Sequence, residues 1–127
     1  MLTVEPTSSI PIYIQLRNQV MEAIARGELS TGDTLPSVRA LAADLGVNMH
    51  TVNKSYHELV SKEIIEIVPK KGAVIIANNK ENISEERLES LSNELKPLVT
   101  EALVHGINEI KLHDLVSKIM KNIKEVE

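Results

Sequence analysis

Apolar residues recur at helical spacing in three places across the first half of this chain and in two more near its end. Leu16, Val20, Ala23 and Ile24 mark one face of a first helix, with Arg17, Glu22 and Arg26 turned toward water. Pro11 suits the start of that helix, because its missing amide hydrogen would be unpaired there anyway, and Gly27 suits its end. Gly32-Asp33 then predicts a turn. Ser37 is placed to cap a second, shorter helix with Val38, Leu41, Ala42 and Leu45 as its buried stripe. Gly46 stops it, Val47 plugs the junction, and Asn48 caps a third helix. In this third helix Val52, Tyr56, Leu59 and Val60 are expected inside, whereas His50, Asn53, Lys54 and His57 form the opposite, polar face.

The period then changes from helical to alternating. Ile65 and Ile67 flank Glu66, Val74 and Ile76 flank Ile75, and Pro69-Lys70-Lys71-Gly72 lies between the two runs. This predicts a β-hairpin with a basic tip. Ahead of all these elements, residues 1–9 are polar and turn-rich and read as a loosely held arm.

A polar hinge over residues 78–82 precedes two further helices. Ser84 caps the first, and Glu85 and Glu86 stand at the positive end of its dipole. Leu88, Leu91, Leu95, Leu98, Val99, Ala102 and Leu103 continue its apolar face, and Pro97 should bend or interrupt it. Gly106 ends it, and Asn108 caps a last helix striped with Leu112, Leu115, Val116, Ile119, Met120 and Ile123. Two such short amphipathic helices cannot hide both apolar faces by themselves, so they must pack on the first module or on another chain. The expected fold is α+β and mostly helical. It comprises a winged helix-turn-helix over residues 1–77 and a two-helix extension over residues 78–127.

Composition narrows the chemistry. Two tyrosines are the only aromatic residues in 127, so the chain has no platform for stacking exposed bases, which argues against single-stranded nucleic acid. Without cysteine, neither disulfides nor thiolate metal sites arise. No apolar run is long enough to cross a bilayer and no basic leader precedes one, so a cytoplasmic protein without membrane contact is the expectation. No nucleophile elbow, phosphate loop or carboxylate pair emerges, so neither an enzyme nor a cofactor is expected. His105 and His113, with Glu109 and Asp114 nearby, make no tight metal motif. The net charge of −4 opposes DNA binding at first sight. Residues 1–77, however, hold seven Lys/Arg against eight Asp/Glu, a balance of −1, and residues 78–127 hold seven against ten, a balance of −3. Phosphate contact requires a local basic surface, not a basic chain.

Two short helices joined by Gly46-Val47-Asn48 and followed by a basic hairpin have the spacing of a DNA-reading unit. The stretch over residues 10–77 resembles the winged helix-turn-helix of GntR-family transcriptional regulators. Three blocks carry the resemblance: Pro11-Ile12-Tyr13-Ile14-Gln15-Leu16, Gly32-Asp33-Thr34-Leu35-Pro36-Ser37-Val38-Arg39-Ala40-Leu41-Ala42, and Val47 through Leu59. It implies that Arg39 approaches the DNA backbone from the second helix. It also implies that His50, Thr51, Asn53 and Lys54 contact bases or phosphates, and that Gly72 lets the wing approach a minor groove beside Lys70 and Lys71. Three positions depart from the family pattern: Met49 replaces a frequent arginine, Glu63 a usual glycine, and the Pro-Lys-Lys-Gly tip a more glycine- and arginine-rich turn.

The short tail resembles the YtrA-type branch of that family, which implies a small dimerisation unit. Leu91, Leu95, Leu98, Leu112, Val116 and Ile119 are its candidate contacts. The expected function is sequence-specific binding of double-stranded DNA by a homodimeric repressor on a near-palindromic operator, with room for a small-molecule effector. A winged-helix protein-interaction module and a metal-responsive DNA-binding sensor are the alternatives.

Overall fold

The computed structural model describes residues 2–77 and 83–125, which fall into two compact units, Met1–Asn79 and Lys80–Glu127. The hinge expected at residues 78–82 lies outside the described residues. The first unit contains helices α1 (Ile12–Ala25), α2 (Val38–Leu45) and α3 (Met49–Ser61) and strands β1 (Ile65–Val68) and β2 (Gly72–Ile75). The second contains α4 (Glu85–Val104) and α5 (Glu109–Glu125). The fold is mostly helical, with a helix-turn-helix and a small two-stranded wing followed by C-terminal helices.

Local sequence sets the helix boundaries. The Ser37 hydroxyl accepts from the Ala40 amide (3.1 Å) at the start of α2, and the Asn48 side chain accepts from the His50 amide (2.7 Å) at the start of α3. Between them Gly46 adopts φ 68° and closes α2, with the Val47 amide reaching back to the Ala42 carbonyl (3.0 Å). α3 closes in the same way, the Ile64 amide donating to the Leu59 carbonyl (2.9 Å) and Glu63 to Val60 (3.0 Å). Here the left-handed position, φ 60°, is held by Glu63. The glycine expected by resemblance is therefore missing where the backbone favours it.

One aliphatic core joins the unit. Leu16, Val20 and Ile24 of α1 meet Leu41 and Ala42 of α2, Val52, Tyr56 and Leu59 of α3, and Ile65 and Ile75 of the hairpin. Burying each large aliphatic chain contributes on the order of 1.5–3 kcal/mol. Val60, expected inside, is 40% exposed, and Ser55 is buried instead. Positions 52, 55, 56 and 59 complete two helical turns on one side, and the small Ser55 lets α1 approach. Its hydroxyl donates to the Tyr13 carbonyl (2.7 Å).

The hairpin is antiparallel, with Ile65 opposite Ile75 and Val68 opposite Gly72. The expected alternation fails in both strands. Ile67, nearer the tip, is 61% exposed because the core covers only the base of the wing, whereas Ala73, Val74 and Ile75 are all buried. The free edge of β2 explains the second departure. Asp33 accepts from the Ile75 amide, and the Leu35 amide donates to Ala73, both at 2.8 Å, with Thr34 bridging to Val74. The expected turn at Gly32-Asp33 thus leads directly into a short edge that covers β2.

The N-terminal arm is also tied down. The Gln19 side chain exchanges hydrogen bonds with the backbone of Thr3 (3.0 and 2.6 Å), and Gln15 does so with Glu5 (2.9 and 3.1 Å). Four residues of helix rise about 6 Å and two of extended chain about 6.6 Å, so the two amides match alternate arm residues. Leu2 and Val4 pack against the core on the intervening positions.

In the second unit the Ser84 hydroxyl accepts from the Arg87 amide (3.0 Å) and the Asn108 side chain from the Lys111 amide (2.8 Å), which starts both helices where expected. α4 continues through Pro97, so the proline does not interrupt it. Ala102 is the one buried hydrophobic residue among the described residues of this unit. Leu95 and Ile119 remain 55% and 51% exposed, and α4 and α5 line an open apolar groove of about 810 Å³.

Replacing Glu63 with Gly should raise stability by about 1 kcal/mol through relief of the left-handed conformation. Urea unfolding reads this as a higher midpoint at unchanged slope. A lower midpoint would show that the Glu63 side chain contributes more than its backbone conformation costs.

Candidate nucleic-acid interface

The fully buried side of α3 fixes which side chains face outward. His50, Asn53, Lys54 and His57 recur at positions i, i+3, i+4 and i+7 and all are exposed, whereas Thr51 is half-buried. Arg39 is exposed near the start of α2. At the wing tip the Lys71 amide donates to the Val68 carbonyl (3.0 Å), closing a turn in which Lys70 has φ 68°. Pro69 followed by a positive φ has the signs of a type II turn, and it leaves Lys70, Lys71 and Gly72 exposed.

Ion pairing separates the cations of this unit into two groups. Arg17, expected to face water freely, pairs with Glu58 (2.9 Å), and Arg26 pairs with Glu28 (2.8 Å) and Glu22 (3.8 Å). Among the described residues, no carboxylate lies within ion-pair distance of Arg39, Lys54, Lys70 or Lys71. The nearly neutral balance of the unit therefore conceals four cations without an acidic partner among the described residues, Arg39 on α2, Lys54 on α3 and Lys70 and Lys71 at the wing. Arg39 makes no ion pair with Asp44 of the same helix.

Two contacts support this face from behind. The Lys54 ammonium lies 4.1 Å from the centre of the Tyr13 ring, a cation–π contact that restricts an otherwise mobile side chain. Tyr13 is half-buried on α1, and no periodicity connects it with Lys54; only the α1–α3 packing brings them together. The Tyr56 hydroxyl donates to the Pro36 carbonyl (2.6 Å) immediately before the Ser37 cap, tying α3 to the start of α2. Burial pushes the Tyr56 phenol up to about 12.

At the start of α3, Val38, Asn48, Met49, His50 and Asn53 line an open concavity of about 740 Å³. Arg39, Thr51, Lys54 and the wing residues are not part of its lining. In the second unit, His105 and His113 each face a glutamate of their own surroundings, Glu101 and Glu109, at 3.6 Å. No group of three or more His, Asp or Glu side chains suited to a metal gathers among the described residues. No described helix is long and apolar enough to cross a membrane.

The family model for bacterial regulatory proteins of the gntR family matches residues 12–75, from the start of α1 to the end of β2. The chain belongs to the GntR family. Its similarity to the HTH-type transcriptional repressor YtrA of Bacillus subtilis extends through the tail, at 36% identity over 98% of this chain and 95% of the relative. A solved YtrA from Sulfolobus acidocaldarius, described as a GntR-family transcription factor, is 39% identical with a TM-score of 0.65. That match covers 81% of this chain and 97% of the other. A structure from Listeria monocytogenes described as a transcriptional antiterminator is 30% identical with a TM-score of 0.83, over 100% and 95% of the two chains. This GntR-family member is of the YtrA type, a sequence-specific DNA-binding transcription factor.

Tyr56 provides a check on the helix-turn-helix geometry. Replacing Tyr56 with Phe should cost about 1 kcal/mol at neutral pH through loss of the Pro36 hydrogen bond. Because the folded phenol holds its proton to about 12, against 10.0 normally, wild-type stability falls as pH rises through that window, where only the unfolded chain ionises. The gap between wild type and variant in urea midpoint should narrow above pH 10. A constant gap would contradict the buried, protonated phenol.

Proposed function

We propose that this protein is a cytoplasmic repressor that binds a near-palindromic operator as a homodimer. Residues 1–77 form the DNA-binding domain in this reading, and residues 78–127 hold the two copies together. The four cations without acidic partners, Arg39, Lys54, Lys70 and Lys71, carry the proposal. Arg39 meets the phosphate backbone, and His50, Thr51, Asn53 and Lys54 enter the major groove with the start of α3. Lys70, Lys71 and Gly72 follow the adjacent minor groove. The α4–α5 unit supports the assembly because its apolar faces stay open in the single chain. Leu91, Leu95, Leu98, Leu112, Val116 and Ile119 are the proposed contacts between copies. A two-fold dimer presents two α3 helices to half-sites related by the same symmetry. Repression follows the name of the Bacillus subtilis relative.

An operator recovered by selection from random duplexes permits a direct test. Lys54→Ala should lower affinity several-fold and reduce the slope of log affinity against log salt by about one. Fluorescence anisotropy measures both, and circular dichroism verifies folding. Unchanged affinity and slope in a folded variant would remove Lys54 from the interface, and a flat salt response in wild type would remove phosphate contact altogether.

Charges introduced as Leu95→Glu with Ile119→Glu should convert a dimer at micromolar concentration into a monomer, because burying unpaired carboxylates is costly. Both side chains are half exposed in the single chain, so its own fold should survive. Sedimentation velocity provides the readout, with operator affinity expected to fall more than tenfold. Wild-type protein sedimenting as a monomer, free and on its operator, would contradict the proposed assembly.

A further inference from the structure

The start of α3 exposes an apolar side chain where solvent contact gives it no benefit. Met49, the first residue of the helix, is 47% exposed, and with the half-buried Val38 it forms the apolar part of the concavity described above. The rest of the lining is polar and partly uncommitted. The Asn48 side-chain oxygen is engaged by the His50 amide at 2.7 Å, whereas the His50 ring and the Asn53 carboxamide make no hydrogen bond among the described residues. The concavity thus combines an apolar wall with free donors and acceptors, and no lysine or arginine lines it.

These properties discriminate among base pairs. A guanine edge offers the O6 and N7 acceptors, for which a bidentate cation is the strongest partner, and the lining has none. Cytosine presents an amino donor and no methyl group. Thymine alone projects a methyl group into the major groove, and its adenine partner offers N6 and N7 to a carboxamide such as that of Asn53. We infer that Met49 is a specificity-determining residue whose side chain, with Val38, receives a thymine C5 methyl group at one position of each operator half-site. This rests on the DNA-binding reading of the same helix face and goes beyond it by naming the group that is read.

Replacing single thymines of the selected operator with deoxyuridine removes the methyl group and leaves every hydrogen-bonding atom in place. Fluorescence anisotropy with wild-type protein should show one symmetry-related position at which each replacement weakens binding about fourfold per half-site, the effect of one buried methyl-sized group. In Met49→Ala the same replacement should have no effect, whereas Met49→Leu, which keeps an apolar side chain, should retain the discrimination. Circular dichroism confirms that both variants are folded, as expected for an exposed position. The inference is overturned if wild type tolerates deoxyuridine everywhere, or if Met49→Ala remains sensitive at the position wild type reads. Absence of binding to any duplex in the selection would overturn the DNA-binding reading as well, so the two failures are distinguishable.

Discussion

Helix α3 must serve a core and a surface with thirteen residues, and the architecture of the winged unit depends on how those sides divide. Val52 and Leu59 are completely buried, and Ser55 sits between them as the one buried polar side chain of the described core. A larger residue there would push α1 away. The serine hydroxyl instead joins the two helices through the Tyr13 carbonyl, while the Tyr13 ring meets Lys54 on the neighbouring position. Fixing the inner side in this way fixes the direction of the outer side, because a rigid helix cannot rotate one without the other.

Charge is organised around the same division. Arg17 is bound to Glu58 on the flank of α3, and Arg26 is held by carboxylates near the end of α1. These pairs are at or near the surface, where such contacts add little stability. Their larger consequence is that they occupy acidic groups, leaving the cations of α2, α3 and the wing tip to act together. A net charge of −4 is therefore a poor guide to what a phosphate backbone would encounter on this face.

Features set by neighbouring residues were legible in the sequence. Ser37, Asn48, Ser84 and Asn108 cap the helices assigned to them, since a cap requires only an oxygen a few bonds from the amide it meets. The exposed positions of His50, Asn53 and Lys54 follow from the same helical period. Features that join distant segments were not legible. The Gln15 and Gln19 clamps on the arm, the edge formed against β2 by Thr34, and the Arg17–Glu58 pair each require the tertiary fold to exist first. Val60 and Ile67 escaped burial for a related reason: a hydrophobic pattern identifies a face but not where the opposing surface ends.

The tail supplies the remaining constraint. Its helices are well capped but bury little, so their apolar faces call for a partner surface, and a second copy of the chain would impose two-fold symmetry on whatever the winged units contact. Hydroxyl-radical footprinting of the protein on its selected operator tests that central claim most directly. The account predicts two symmetry-related sets of protected sugars flanking successive major grooves about one helical turn apart. A single asymmetric protected segment, from protein saturating the duplex, would contradict it.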